Sequence, residues 1–174
     1  TVNGMEPRDL EAQLELLHSH GFAWAVRCCR GDRTEAEDIL HLAYLKVLEG
    51  RAKYAGRSTF RTWFFGVIRR TALERYRWNW SQALNMGSWW RDRPDPNPDH
   101  LERMDADDRV TRLNAALTEL SGRQAEVLHL VFYQDLTIQE AADVLGLPVG
   151  TARTHYERGK ARLRGLLGAK EAVG

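Results

Sequence analysis

Cysteine is scarce in this chain: there are two, adjacent at Cys28 and Cys29. Neither the count nor the spacing suits a disulfide framework or a zinc site, so both read as helix-packing residues, with a redox role as the minor alternative. Long apolar runs are missing as well. Nothing approaches the roughly 18 residues that span a bilayer, and the N-terminus has no apolar stretch of the signal-peptide kind. A cytoplasmic location without a membrane span is therefore expected. Residues 1–4, ahead of Met5, read as the remnant of a cleaved tag and are set aside. Strand signals are nearly absent, because apolar residues recur at spacings of three and four and runs of β-branched residues are lacking. The expected fold class is all-α. No Gly-rich phosphate loop or nucleophile elbow occurs, and the six histidines are dispersed. The sequence thus predicts no enzyme, no cofactor, no metal site and no small-molecule substrate.

The charge of one sign that a nucleic-acid partner would call for is also missing from the total, since the net charge is +1. The distribution tells more. Residues 1–50 hold five basic and nine acidic side chains, whereas residues 51–80 hold eight basic and one acidic. Residues 92–108 carry seven acids and two arginines, and residues 150–170 carry six basic residues and one acid. Screening acts over roughly 8–10 Å at physiological salt, so each basic block presents its own field despite the near-zero sum. Two separate DNA contacts follow from that pattern.

The periodicity predicts a first helix over residues 9–29, with Leu10, Leu14, Leu17, Phe22, Trp24 and Val26 marking its buried side. Thr34 with Glu37 has the form of a capping box for a second helix that ends at Glu49-Gly50. After a loop around Tyr54, Ser58 or Thr59 can cap a long basic helix whose apolar side includes Phe60, Trp63, Phe64, Val67, Ile68 and Leu73. Residues 81–108 contain three of the five prolines, at Pro94, Pro96 and Pro98, and read as an extended acidic linker. The pair Trp89-Trp90 within it either docks on a partner or packs back on the first domain, and the second alternative is favoured. Beyond the linker, Val110, Leu113, Ala116 and Leu117 describe one helix, and Ser121 caps the next. The division is then two small helical domains, at residues 5–80 and 109–174, around the linker 81–108.

The run LTIQEAADVLGLPVGTARTHYERGKARLRGLL carries the strongest signal, a helix, a glycine turn and a basic second helix at helix-turn-helix spacing. Ala141 and Ala142 are small enough for close approach, Leu145 and Leu147 fill the crossing, and Gly146 gives the turn its backbone freedom. Spacing puts Arg153, Thr154, Glu157, Arg158 and Lys160 on the outer side of the second helix, and Ala152, Tyr156 and Leu163 on the inner side. Arginine matches guanine O6 and N7, Glu157 can accept from cytosine N4, and Thr151 or Lys160 can hold phosphates. The bland alternative, a solvated charged helix, does not require the Thr-x-x-Glu-Ala-Ala-x-x-Leu-Gly helix ahead of it.

The stretches EAEDILHLAYLKVLEG and YAGRSTFRTWFFGVIRRTALERYR together resemble region 2 of extracytoplasmic-function sigma factors, of the sigma-70 family, and the second half resembles their region 4. The resemblance implies a non-enzymatic initiation factor that joins core RNA polymerase through the β′ clamp helices and the β flap. It places the clamp contact on Asp38, His41, Leu42 and Leu45. His41-Leu42 stand where the family usually has Gln-Glu, which points to an apolar contact there. It further implies that Tyr54, Arg57, Ser58, Arg61, Arg69, Arg70 and Arg75 serve the −10 element, with a non-template base extruded into a small pocket. Melting needs cations for the exposed backbone and planar surfaces for unstacked bases, and both are in this segment. The −35 contact would fall on Thr151, Arg153, Thr154, Glu157, Arg158 and Lys160. An anti-sigma factor is a further partner implied by the resemblance.

Trp63 reads as a core residue in preference to a base-stacking wedge, and Trp78 and Trp80 are ambiguous in the same way. The competing functional reading is a conventional dimeric helix-turn-helix regulator, which predicts palindromic binding without polymerase and leaves the first basic block unexplained. A nucleic-acid-modifying enzyme would need a catalytic constellation that the sequence lacks.

Overall fold

The structure is a computed structural model and describes residues 7–85, 117 and 119–171. All seven helices found there, with no strand among the described residues, bear out the all-α expectation. The chain divides into two compact units, Thr1–Pro98 and Asp99–Gly174.

The first unit holds α1 (Pro7–Leu16), α2 (His18–Cys28), α3 (Arg33–Leu48) and α4 (Phe60–Asn85). The single first helix expected from periodicity is two, with the break at Leu17, whose backbone departs to φ −92° and ψ 0°. The chain still passes hydrogen bonds across the break, from Leu17 N–H to the Gln13 carbonyl and from Gly21 N–H to the Leu17 carbonyl. That hitch lets Leu10 and Leu14 on one side and Trp24 and Ala25 on the other all reach the core. Gly21 is the point of closest approach, because a Cβ there would meet Leu40 and Phe64 carbon atoms at 3.3 Å.

The cap of α3 is Asp32 and not Thr34. Asp32 is extended at φ −69°, ψ 104°, and its carboxylate accepts from Glu35 N–H at 2.9 Å. Arg30 and Gly31 at positive φ turn the chain out of α2 and so bring Asp32 to the cap position. At the start of α4 the cap is Thr59, whose Oγ1 accepts from Thr62 N–H at 3.1 Å. α4 continues through Asn85, past the expected linker start at residue 81, since no proline or glycine occurs between Gly66 and Gly87.

Phe64, Phe65 and Ile68 of α4 are completely buried against Trp24 of α2 and Ile39, Leu40, Ala43 and Val47 of α3. Trp24 donates its indole N–H to the Phe65 carbonyl at 3.1 Å, so the largest core side chain leaves no polar atom unsatisfied. Leu73, expected on this face, is 45% exposed, because the core stripe passes through Ile68, Arg69 and Ala72 and leaves Leu73 a residue too far round.

The second unit holds α5 (Gly122–Phe132), α6 (Ile138–Leu145) and α7 (Val149–Glu171). Its local signals are realised as read. Ser121 caps α5, with Gln124 reaching back to its N–H. Thr137 caps α6 in a reciprocal box with Glu140, at 3.2 and 2.9 Å. Gly146 ends α6 in the left-handed region at φ 63°, which any side chain with a Cβ would resist. Leu120, Ala125 and Leu128 form a core patch, with Leu117, Tyr156 and Leu163 packed on it. Trp80's side chain, Trp89-Trp90 and the helix expected around Val110 lie outside the described residues.

Candidate polymerase and DNA interfaces

In the second unit, the site follows from how closely three small helices pack. Ala141, Ala142 and Ala152 are fully buried and hold α6 and α7 together. Gly159 of α7 is buried as well, and a Cβ there would lie 3.0 Å from Leu128 and 3.1 Å from Gln124 of α5. Sequence spacing passed over this contact because a lone glycine in a charged helix looks like a breaker. With the inner side committed, Thr151, Arg153, Thr154, Glu157 and Arg158 are exposed on the outside of α7. Thr154 donates its hydroxyl to the Gly150 carbonyl at 2.9 Å. Lys160 departs from the expectation in part: it is half-buried, with its ammonium 5.4 Å from the centre of the Tyr156 ring. Its alkyl stem lies over the aromatic ring and only the head remains for a phosphate.

In the first unit the predicted residues are brought together less simply. Asp38, His41 and Leu45 are exposed on α3 and Leu42 is half-buried beside them, one continuous face. Leu45 and Leu48, one turn apart, are 46% and 51% exposed on the same helix. Lys46 bridges from α3 to α4, donating to Thr71 Oγ1 at 3.1 Å and pairing with Glu74. Asp38 faces Arg75 of α4 at 4.0 Å, a loose exposed pair that leaves both side chains open to a partner. The Arg75 guanidinium also stands 6.0 Å from the Trp78 ring centre, and Trp78 itself is 57% exposed.

Among the cations assigned to the −10 element, Arg57 and Arg70 are exposed. Arg61 is half-buried, with its guanidinium over the Phe65 ring at 5.5 Å and near His20. Arg69 is displaced from the expected role: it is 7% exposed, between Phe65 and Ala72 on the buried stripe of α4, and cannot lie along a DNA backbone. Its charge made it look like a surface residue, while its phase on the helix puts it inside.

The loop of residues 54–59 is built from both ends. Ala52 donates its N–H to the Lys46 carbonyl at 2.8 Å, and Gly56 turns the chain at φ 69°. Tyr54 is half-buried, its hydroxyl donates to the Ser58 carbonyl, and its ring lies edge-on to Phe60 at 5.8 Å. Trp63, expected in the core, is half-buried beside this loop and donates to the Lys53 carbonyl at 3.1 Å. The core place is taken by Phe65, which the spacing did not single out.

Among the described residues, no helix is long and apolar enough to cross a membrane. Burial, followed by the nearby Glu35 and Asp32 carboxylates, pushes the Cys29 thiol up to about 12, which leaves it protonated and unreactive at neutral pH. Burial also raises the Tyr44 phenol, which stacks on Phe64 at 5.6 Å and lies 3.0 Å from His18 Nδ1.

Comparison with known proteins assigns both units. Residues 15–82 match Sigma-70 region 2, and residues 116–165 match Sigma-70, region 4. The ECF RNA polymerase sigma factor SigX of Bacillus subtilis is 28% identical over 137 residues, covering 76% of this chain and 71% of the relative. ECF RNA polymerase sigma factor SigC of Mycobacterium tuberculosis is 25% identical over 157 residues, covering 88% and 80%. The sigma factor RpoE of Bartonella quintana, solved in complex with the anti-sigma factor NepR, superposes with a TM-score of 0.71 at 20% identity, over 92% of this chain and 98% of that one. CnrH, solved with the cytosolic domain of CnrY, gives 0.60 at 22% identity, over 91% and 87%. At those identities the solved structures speak to the fold alone. With both sigma regions matched in order along one chain, the protein belongs to the extracytoplasmic-function sigma factors of the sigma-70 family, non-enzymatic transcription initiation factors that recognise promoters.

Proposed function

We propose that this sigma factor divides promoter recognition between α7, which reads the −35 element, and the loop of residues 54–59 with the start of α4, which captures the −10 element. The observation that carries the first half is the exposed row Thr151, Arg153, Thr154, Glu157 and Arg158 on a helix whose other side is locked by Ala152 and Gly159. A rigid helix with its donors on one side can enter the major groove without first ordering itself. Arg153 and Arg158 supply guanine contacts, Glu157 accepts from cytosine, and Thr151 and Lys160 hold phosphates. In the first unit, Arg57 and Arg70 with the partly covered Arg61 and Arg75 follow the melted backbone. The Tyr54 hydroxyl is already committed to Ser58, so the Tyr54 ring offers a flipped base a stacking surface.

Core polymerase docks on the α3 face, with Leu42 and Leu45 against the β′ clamp helices and Asp38 and His41 at the rim, while the second unit meets the β flap. Activity on RNA polymerase places the protein in the cytoplasm. The first domain extends through the end of α4 at Asn85, the acidic linker follows it, and the second domain occupies residues 109–174. An anti-sigma factor is a further partner. The similar RpoE is solved with the anti-sigma factor NepR, and the exposed Leu45 and Leu48 offer a partner an apolar contact.

Transcription in vitro with core polymerase from a panel of bacterial promoters tests the reading. Transcripts that require the protein and weaken with both Asp38→Arg and Arg158→Ala support it. DNA binding as a dimer, without association with core polymerase, would replace it with a conventional helix-turn-helix regulator.

A further inference from the structure

Trp63 sits on α4 next to two fully buried phenylalanines, Phe64 and Phe65, yet it is only half-buried itself. Its indole N–H donates to the carbonyl of Lys53, ten residues back, at 3.1 Å. Its ring lies 5.1 Å from that of Tyr54 and 5.2 Å from that of Phe60, both tilted to it. Tyr54 closes the circuit, edge-on to Phe60 and donating to the Ser58 carbonyl. Three aromatic rings thus join the entry of the loop 54–59 to the first turn of the helix that follows it. The ends of the loop are held by Ala52 N–H on the Lys46 carbonyl and by the Thr59 cap of α4. Trp63 is the side chain that ties the two limbs together, and its one polar atom is used entirely on the loop backbone.

A tryptophan that wedges into DNA must free a ring face and slide between stacked bases. To do so here, Trp63 would have to give up the Lys53 bond and both ring contacts. Resting on the −10 reading given above, we propose that Trp63 is a positioning residue that holds the loop 54–59 in the shape that receives an unpaired base, and does not itself enter the duplex. A loop ordered in advance loses less freedom on binding, so its capture of the base is tighter for the same contacts.

The test uses the full chain assembled with core polymerase, on one promoter from the transcription panel in two forms: fully duplex, and premelted by a non-complementary bubble across the −10 element. Trp63→Phe keeps the ring and removes the N–H, and Trp63→Ala removes both. Open-complex formation should fall about three- to tenfold for Trp63→Phe and about thirtyfold for Trp63→Ala. The deficit should be as large on the premelted template as on the duplex, while core binding and affinity for a −35 duplex stay at wild-type values and each variant used remains folded at the assay temperature, with a melting temperature only modestly lowered by the lost contacts. Recovery of either variant to the wild-type level on the premelted template would make Trp63 a melting wedge and overturn the proposal. So would variants that initiate as well as wild type on both templates. If Trp63→Ala fails to fold, Trp63→Phe decides alone. Failure of the wild-type protein to form any open complex would instead bring down the −10 reading, and this inference with it.

Discussion

The two units differ in how many of their basic residues are tied into the fold. In the second, Arg153, Arg158, Arg162 and Arg164 stand exposed on α7, and only Lys160 is partly covered, by the Tyr156 ring. In the first, Arg69 is inside the bundle, Arg61 lies over Phe65, Arg75 faces Asp38 and Trp78, and Lys46 is held by Thr71 and Glu74. A helix that approaches an intact duplex needs cations ready for phosphates and base edges. A domain that receives single-stranded bases needs a fixed aromatic cradle as well as cations, and here Arg61, Arg69 and Arg75 are tied to the bundle while Arg57 and Arg70 stay exposed. The positive charge therefore serves recognition on α7, and both recognition and architecture in the first unit.

Phe64 should give the largest effect. Phe64→Ala removes a fully buried ring and should cost the first unit about 3–5 kcal/mol in urea denaturation, with the transition of the second unit unmoved. A shared loss in both transitions would break the comparison, since it would mean the units do not unfold independently. Arg69 and Arg158 form the next contrast. Arg69→Met should lower the melting temperature of the first unit, because a substitution at a buried polar position costs about 1–3 kcal/mol. Arg158→Ala should leave melting unchanged, weaken a selected −35 duplex by about 1–3 kcal/mol and shift base preference at one position. If Arg69→Met altered DNA affinity at full stability, the division between bracing and reading cations would fail.

Cys29 sharpens the comparison through pH. Its folded pKa of about 12 lies above the ordinary value of 9.0, so its contribution is complete below that value and is lost as pH rises. The first unit should lose about 1 kcal/mol at pH 9.5 from this group, and Cys29→Ala should remove that part of the slope. The smallest effect should come from Gly146→Ala. Its positive φ gives a cost of about 1 kcal/mol, read as a lower melting temperature of the second unit with the first unaffected.

The second unit was the more legible in sequence, for a physical reason. Thr137 with Glu140, Ser121 with Gln124, Gly146 and Pro148 act within one turn of where they stand, so their meaning survives without knowing the neighbours. The outer row on α7 followed from period alone. In the first unit, the order of helices and the exposed α3 face were legible, whereas the cap of α3, the break at Leu17 and the side chain assignments on α4 were not. Trp63 and Phe65 differ by two positions and share apolar chemistry, and nothing local says which of them faces Trp24.

Taken alone, the sequence determined the helical class, the helix-turn-helix and the row of donors on α7, because periodicity, capping and turn chemistry are local properties, while the two sigma regions were legible through resemblance. Only the tertiary structure decided that Arg69 is buried, that Arg75 meets Asp38 and that Trp63 turns to the loop. Each of those outcomes depends on which face of a 26-residue helix α2 and α3 happen to cover, a contact between residues far apart in the chain.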